Sequence, residues 1–254
     1  MSVTRQLGLI GYPLSHSFSK KYFAKKFDAE GIPNYHYELY PLEKIEDFPV
    51  LLKTVPSLVG INVTIPYKQQ VMRYLDDIDE EAAKVGAVNT IKIEEGRLKG
   101  YNTDIYGFER TLLELIASAA TPITSLKALI LGTGGAAKAV HYVLDKVGIF
   151  SQFVSRSPKE GRLTYGELHP SLFEGYQIII NTTPLGMSPN IHSCPTLPYD
   201  AINKDYFLYD LVYNPAQTLF LKKGNQRGAA TMNGHQMLIL QAEKAWSIWT
   251  GQPI

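Results

Sequence analysis

The most restrictive run in this chain is LKALILGTGGAAKAV, residues 126–140 of 254. Leu126 to Leu131 is almost continuously apolar, a pattern suited to a parallel strand covered on both faces. It runs into Gly132-Thr133-Gly134-Gly135-Ala136-Ala137, which has the spacing G-x-G-x-x-G/A, and then into a helical pattern. Each small residue has a mechanical use: a tight turn, a backbone that phosphate can approach, and close helix–strand packing at the positive end of the helix. A glycine-rich turn alone is weak evidence. With a strand before it, a helix after it and a second strand at Ser151 to Ser155, a dinucleotide site is preferred over a plain turn.

The end of that second strand selects the dinucleotide. An NAD site places an acid there for the ribose 2′-hydroxyl. Here Ser155-Arg156-Ser157-Pro158-Lys159 precedes the first acid, Glu160. A guanidinium, an ammonium and two hydroxyls suit a 2′-phosphate, so the expected cofactor is NADP, against the plainer alternative of a solvated basic turn.

Strand and helix patterns alternate along the rest of the chain and predict an α/β fold with parallel sheets. Strands are expected at Leu7 to Gly11, Tyr35 to Tyr40, Val59 to Ile65, Gln177 to Asn181 and Phe207 to Tyr213. A hairpin is expected from Val88 to Ile93 and Leu98 to Tyr101, closed by Glu95-Gly96. Helices are expected at Ser17 to Ala29, from about Leu42, around Lys68 to Tyr74, at Asp79 to Val85, Ile105 to Ser118 and Gln236 to Trp249. The small, polar segment 117–125 reads as a hinge.

Lys+Arg 25 against Asp+Glu 24 gives a net charge of +1, which supplies no bulk field for nucleic acid. Cys194 is the only cysteine, so a disulfide framework and a cysteine metal cluster are excluded. His16, His36, His141, His169, His192 and His235 show no ligand spacing, and no metal is expected. Without 18 consecutive apolar residues or a signal-like start, no membrane partner is expected and the expected compartment is cytoplasmic.

GINVTIPYK, residues 60–68, poses a separate question. Ile61, Val63 and Ile65 alternate with Asn62 and Thr64, so one strand face is core and the other carries an amide and a hydroxyl, with Lys68 beyond Pro66. Similar neutral groups fall at element ends in His16-Ser17-Phe18-Ser19, Gly86-Ala87-Val88-Asn89-Thr90 and Asn102-Thr103-Asp104. Singly, each has a plain account: Ser17 or Ser19 as a helix cap, Asn102 and Asp104 likewise, Lys68 as a surface lysine. Together they suit a small, polyhydroxylated, singly charged ligand.

GLIGYPLSHSFS, GINVTIPYK, GAVNT, NTD, GTGGAAKAV, NTTPLGM and GHQMLILQA, in that order and across nearly the whole chain, resemble the shikimate dehydrogenases. The resemblance implies a substrate-binding domain of residues 1–104, with 235–254 packing back onto it. It likewise implies a Rossmann-type NADP-binding domain of residues 105–234. The implied reaction is the reversible, NADP-dependent reduction of 3-dehydroshikimate to shikimate, a step of aromatic amino acid biosynthesis, by a monomer or homodimer.

Carried over by motif, Lys68 and Asp104 are the implied catalytic pair. Ser17, Ser19, Asn62, Thr64, Asn89, Tyr213 and Gln241 join them as implied substrate ligands. Gly132, Gly134, Gly135, Ala136, Ser155, Arg156, Ser157, Lys159, Asn181, Thr182, Met187, Leu211 and Gly234 are the implied cofactor contacts. The chain departs from the family pattern at Lys20, at Ile105-Tyr106 and at Ser155-Arg156-Ser157, where the arginine is kept. Related alternatives are a quinate dehydrogenase, an idle NADP- or shikimate-sensing protein, and another two-domain dehydrogenase. The paired serines favour shikimate.

Overall fold

The computed structural model describes residues 4–14, 17–117 and 122–254. His16 and part of the expected hinge lie outside the described residues. The chain divides into two units, one taking residues up to Thr103 and again from Ala242, the other taking Asp104–Gln241.

In the first unit the order is β1 (Arg5–Gly11), α1 (Phe18–Ala29), β2 (Tyr35–Pro41), α2 (Phe48–Thr54), β3 (Leu58–Val63), β4 (Asp77–Ile78), α3 (Glu80–Val85), β5 (Thr90–Glu94) and β6 (Arg97–Tyr101). The sheet order is β2-β1-β3-β5-β6-β4. β1 is parallel to β2 and β3, but β5 is antiparallel to both β3 and β6. The sheet is therefore mixed rather than wholly parallel. The cause is local: Glu95 and Gly96, with φ of 51° and 78°, make the two-residue turn with two positive φ angles that joins antiparallel neighbours.

Two expected helices also differ. Lys68 to Tyr74 forms only a 3-10 stretch, Gln70–Tyr74. The helix expected from Leu42 starts as a 3-10 turn at Ile45–Asp47 and becomes α2 at Phe48, with proline in its first turn, where a missing N–H costs nothing.

Period-two alternation gives this sheet two cores. Ile61 and Val63 pack with Ile10, Ile45 and Phe48 on one face. On the other, Leu7, Leu9, Phe23, Phe27 and Tyr37 pack with Trp246 and Trp249 from the end of the last helix. Trp249 lies over Gly60, where a Cβ would collide with the indole, and its Nε1–H donates to the Ile91 carbonyl at 2.9 Å. Burying each such aromatic is worth roughly 1.5–3 kcal/mol, which fastens the carboxy-terminal segment to this sheet.

The second unit contains α4 (Asp104–Ile116), β7 (Lys127–Leu131), α5 (Gly135–Lys146), β8 (Phe150–Ser155), β9 (Leu163–Thr164), α6 (Pro170–Phe173), β10 (Ile178–Asn181), β11 (Phe207–Asp210), α7 (Leu219–Gln226), β12 (Ala230–Asn233) and the first turns of α8 (His235–Thr250), whose remainder belongs to the first unit. Its sheet, β12-β11-β10-β7-β8-β9, is parallel throughout. Ala128–Leu131 and Ile178–Asn181 are fully buried, as the unbroken apolar runs require. The strand order reverses between β7 and β10. Open α/β sheets hold ligands at the carboxyl ends of such a switch.

β11 stops at Asp210, three residues before the expected end. The Asp210 carboxylate accepts the Val212 N–H at 3.0 Å, so the chain turns instead of continuing the ladder.

Candidate active site

In the first unit the polar groups singled out from sequence lie at strand ends and at the start of α1. Ser17 is the N-cap residue of α1, yet its hydroxyl makes no capping bond. Its Oγ is buried and has no hydrogen-bond partner among the described residues. A buried hydroxyl left unpaired costs about 1–3 kcal/mol, so Ser17 stores a binding capacity that the protein itself does not use.

Ser19, by contrast, is tied in. Its hydroxyl reaches the phenol of Tyr37, which is buried. Burial pushes that phenol well above the ordinary tyrosine range, with the Ser19 hydrogen bond acting in the opposite direction. Tyr37 donates to Asn62 Oδ1 at 2.8 Å, and Asn62 Nδ2 donates to the Asn89 carbonyl and to Thr90 Oγ1 at 3.2 and 3.1 Å. The Thr103 N–H and the Thr90 hydroxyl both donate to Asn89 Oδ1, at 2.7 and 3.1 Å. Asn102 donates to the Ala87 carbonyl at 2.9 Å.

Both amide hydrogens of Asn62 are therefore committed inside the protein. The strand face that looked ready for a ligand is, at Asn62, part of a buried network. Thr64 follows β3 in a turn whose N–H donates to Ile10 O at 2.9 Å. Tyr67, rooted by its hydroxyl on the Leu42 carbonyl at 2.6 Å, carries the chain to Lys68. Lys68 is half-buried, and its carbonyl accepts from Val88 N at 2.7 Å.

In the second unit Asp104 is the first residue of α4 and half-buried. Gln241 is buried in α8 and donates to Leu238 O at 3.0 Å. Tyr213 is half-buried, with burial raising its phenol.

The glycine loop leaves space where a phosphate fits. A Cβ on Gly134 or Gly135 would meet nothing within 4 Å, and Gly134 is the N-cap of α5 without a side-chain cap. The first-turn N–H groups of α5 thus lack a side-chain acceptor at a positive helix end. Gly132 differs: its φ is 109°, and a Cβ there would lie 2.6 Å from Thr182 Oγ1.

Beyond β8, Ser155 Oγ accepts from Ser157 N at 3.3 Å, Arg156 and Lys159 are exposed, and Lys159 pairs with Arg162 through an isolated backbone bridge. This basic loop and the bare α5 terminus fit a phosphorylated dinucleotide. Leu211 and Gly234 are adjacent, since a side chain on Gly234 would strike the Leu211 carbonyl.

Asn181 and Thr182 both bond within the protein. Thr182 donates to Leu131 O at 2.7 Å, and Asn181 Nδ2 donates to Asp210 Oδ1 at 2.9 Å. Pro184 and Met187 are the exposed residues of the 181–187 loop.

Residues 9–91 match the family model for the shikimate dehydrogenase substrate binding domain. A shikimate dehydrogenase (NADP(+)) of Methanococcus maripaludis strain C7 is 40% identical over 98% of this chain and 92% of its own length. The chain belongs to the shikimate dehydrogenase family. Among solved shikimate dehydrogenases, one in complex with NADP+ superposes with a TM-score of 0.85 at 36% identity, covering 98% of this chain and 91% of that one. The shikimate dehydrogenase of Thermus thermophilus, solved with NADP(H) and shikimate, gives 0.82 at 30% identity, covering 98% and 94%.

Three groups escaped sequence reasoning: Tyr37, Asp210 and Arg162. Asp210 did leave a signal, since a carboxylate inside FLYDLVY interrupts an apolar run and must find partners when buried. Tyr37 left none, because a tyrosine in a half-buried strand is ordinary.

Proposed function

We propose that the chain catalyses the reversible reduction of 3-dehydroshikimate to shikimate with NADPH. Residues 1–104 and the returning segment 235–254 serve in this reading as the substrate domain, and residues 105–234 as the NADP domain. The observation that carries the reading is nearly full-length likeness to enzymes of that name. Locally, the unpartnered Ser17 hydroxyl and the bare α5 terminus support it.

When bound, NADPH supplies the hydride for the carbonyl carbon. Gly134, Gly135 and Ala136 hold the pyrophosphate through backbone N–H groups, and Arg156 and Lys159 grip the 2′-phosphate, with Ser155 and Ser157 as hydroxyl partners. Lys68 polarises the substrate carbonyl and delivers the proton to its oxygen, and Asp104 orients the ammonium. Ser17, Ser19, Thr64, Asn89, Tyr213 and Gln241 hold the ring hydroxyls and carboxylate. Asn62 aligns Asn89 and Thr90 from below. A site built to pair hydroxyls rejects ligands lacking them, because its own polar groups are then left unpaired.

The deciding assay follows NADPH absorbance while shikimate is oxidised, with quinate in a parallel reaction. NADPH should form faster with shikimate. No NADPH from shikimate overturns the reading, and faster turnover of quinate reassigns the substrate.

A further inference from the structure

One fully buried carboxylate has no part in the chemistry assigned above. Asp210, the last residue of β11, is 0% exposed and accepts three hydrogen bonds: Asn181 Nδ2 at 2.9 Å, Val212 N at 3.0 Å and Thr218 Oγ1 at 2.5 Å. The donors come from the last residue of β10, where the 181–187 loop begins, and from the loop joining β11 to α7.

The first of these bonds fixes the orientation of an amide. Asn181 Oδ1 then accepts the Thr183 N–H at 3.1 Å and the Thr183 hydroxyl at 2.6 Å, and Nδ2 also reaches Leu185 O at 3.3 Å. A rotated amide would turn its NH2 group towards the Thr183 N–H, donor against donor. The two loops also touch at Gly186, whose φ is 88° and where a Cβ would lie 3.3 Å from Thr218 Cβ. On its other side the same loop is anchored by Thr182 to the Leu131 carbonyl, immediately before the glycine loop. The segment Asn181–Met187 is thus held from both neighbouring strands at the switch point, where a dinucleotide lies in this type of sheet; β10 and β8 flank β7 on opposite sides, so with the 2′-phosphate end of the cofactor at the loop after β8, the loop after β10 is on the side of the nicotinamide half.

We infer that Asp210 is a positioning residue for the nicotinamide half of the cofactor: through Asn181 it sets the shape of the 181–187 loop while leaving the adenosine-phosphate half untouched. This rests on the NADP reading above. A buried carboxylate is costly unless it is fully hydrogen-bonded, and three donors from two loops make it a clamp whose loss frees both.

The test compares two ligands on the purified full-length protein: NADPH, and 2′-phospho-ADP-ribose, which lacks the nicotinamide. Asp210→Ala should weaken NADPH by about tenfold or more and leave the fragment within about twofold. Asp210→Asn, which keeps an oxygen for Asn181 and Val212, should restore most of the loss. Equal weakening of both ligands, or a lowered melting temperature with NADPH affinity intact, overturns the inference. If Asp210→Ala does not fold, Thr218→Val replaces it, with about a threefold loss expected for NADPH alone and no loss overturning the inference. Wild-type protein that binds neither ligand sinks the NADP reading itself. Wild-type binding that is insensitive to Asp210 sinks only the clamp.

Discussion

The two units offer ligands opposite kinds of surface. In the first, side chains of α1, β2, β3 and the turn before β5 are held in a hydrogen-bonded chain from Ser19 through Tyr37 and Asn62 to Asn89, and among the described residues the buried Ser17 hydroxyl is left over. In the second, the glycine loop offers backbone alone, with open space at Gly134 and Gly135. Recognition of a polyhydroxylated ring needs donors and acceptors fixed in direction, which only a supported side-chain network supplies. Recognition of phosphate needs N–H groups at a helix end and the absence of anything in front of them. One region is specific because it is filled, the other because it is bare.

Four measurements break or sharpen that contrast. Lys68→Ala should lower kcat by about 10² or more, as loss of a general acid does. An unchanged kcat with a raised KM would make Lys68 a binding residue and end the proposed mechanism. Next in size, Arg156→Ala should cut the preference for NADP over NAD by about 10- to 30-fold; a variant that still strongly favours NADP removes Arg156 from the 2′-phosphate site.

Ser17→Ala should raise the KM for shikimate by about tenfold while raising the melting temperature, because deleting a buried, unpartnered hydroxyl removes its desolvation cost from the ligand-free fold. A large drop in melting temperature with normal KM would show that the hydroxyl is structural after all.

The smallest effect is on stability. Burial pushes the Asp210 carboxyl up to about 6, with the Thr218, Val212 and Asn181 hydrogen bonds opposing it. A carboxyl with a folded value above its unfolded one takes up a proton on folding, so its contribution grows as pH falls through about 6 towards the unfolded value. Between pH 7 and pH 5 the wild type should gain about 1 kcal/mol relative to Asp210→Asn. Denaturant titrations of both proteins at the two pH values measure it, and a gap that is constant or shrinks towards pH 5 contradicts the assignment.

The sequence made some parts of the molecule easy to read and others not, for physical reasons. β7 and β10 were legible because burial on both faces forces unbroken apolar runs. The Glu95-Gly96 hairpin was legible because positive φ has a strong residue signature. α7 and β12 were not foreseen. α7 contains Gly224, kept small by Leu208 packed against it, and β12 is the short, mixed sequence ATMN, with neither period. At the site, residue types were legible but not their loyalties. Asn62, Asn181 and Thr182 read as ligand groups, and the fold gives each of them hydrogen bonds to its neighbours that the sequence did not reveal. Which partner a polar side chain chooses depends on contacts distant in sequence, such as Tyr37 to Asn62 or Asn181 to Asp210.

Trp246 and Trp249, the chain's two tryptophans, both pack with the first unit, against Phe27 and Phe23. Intrinsic emission on titrating urea therefore reports the melting of that unit and is blind to the dinucleotide sheet. Far-ultraviolet dichroism sees both, so a difference between the two midpoints measures directly how independently the halves unfold.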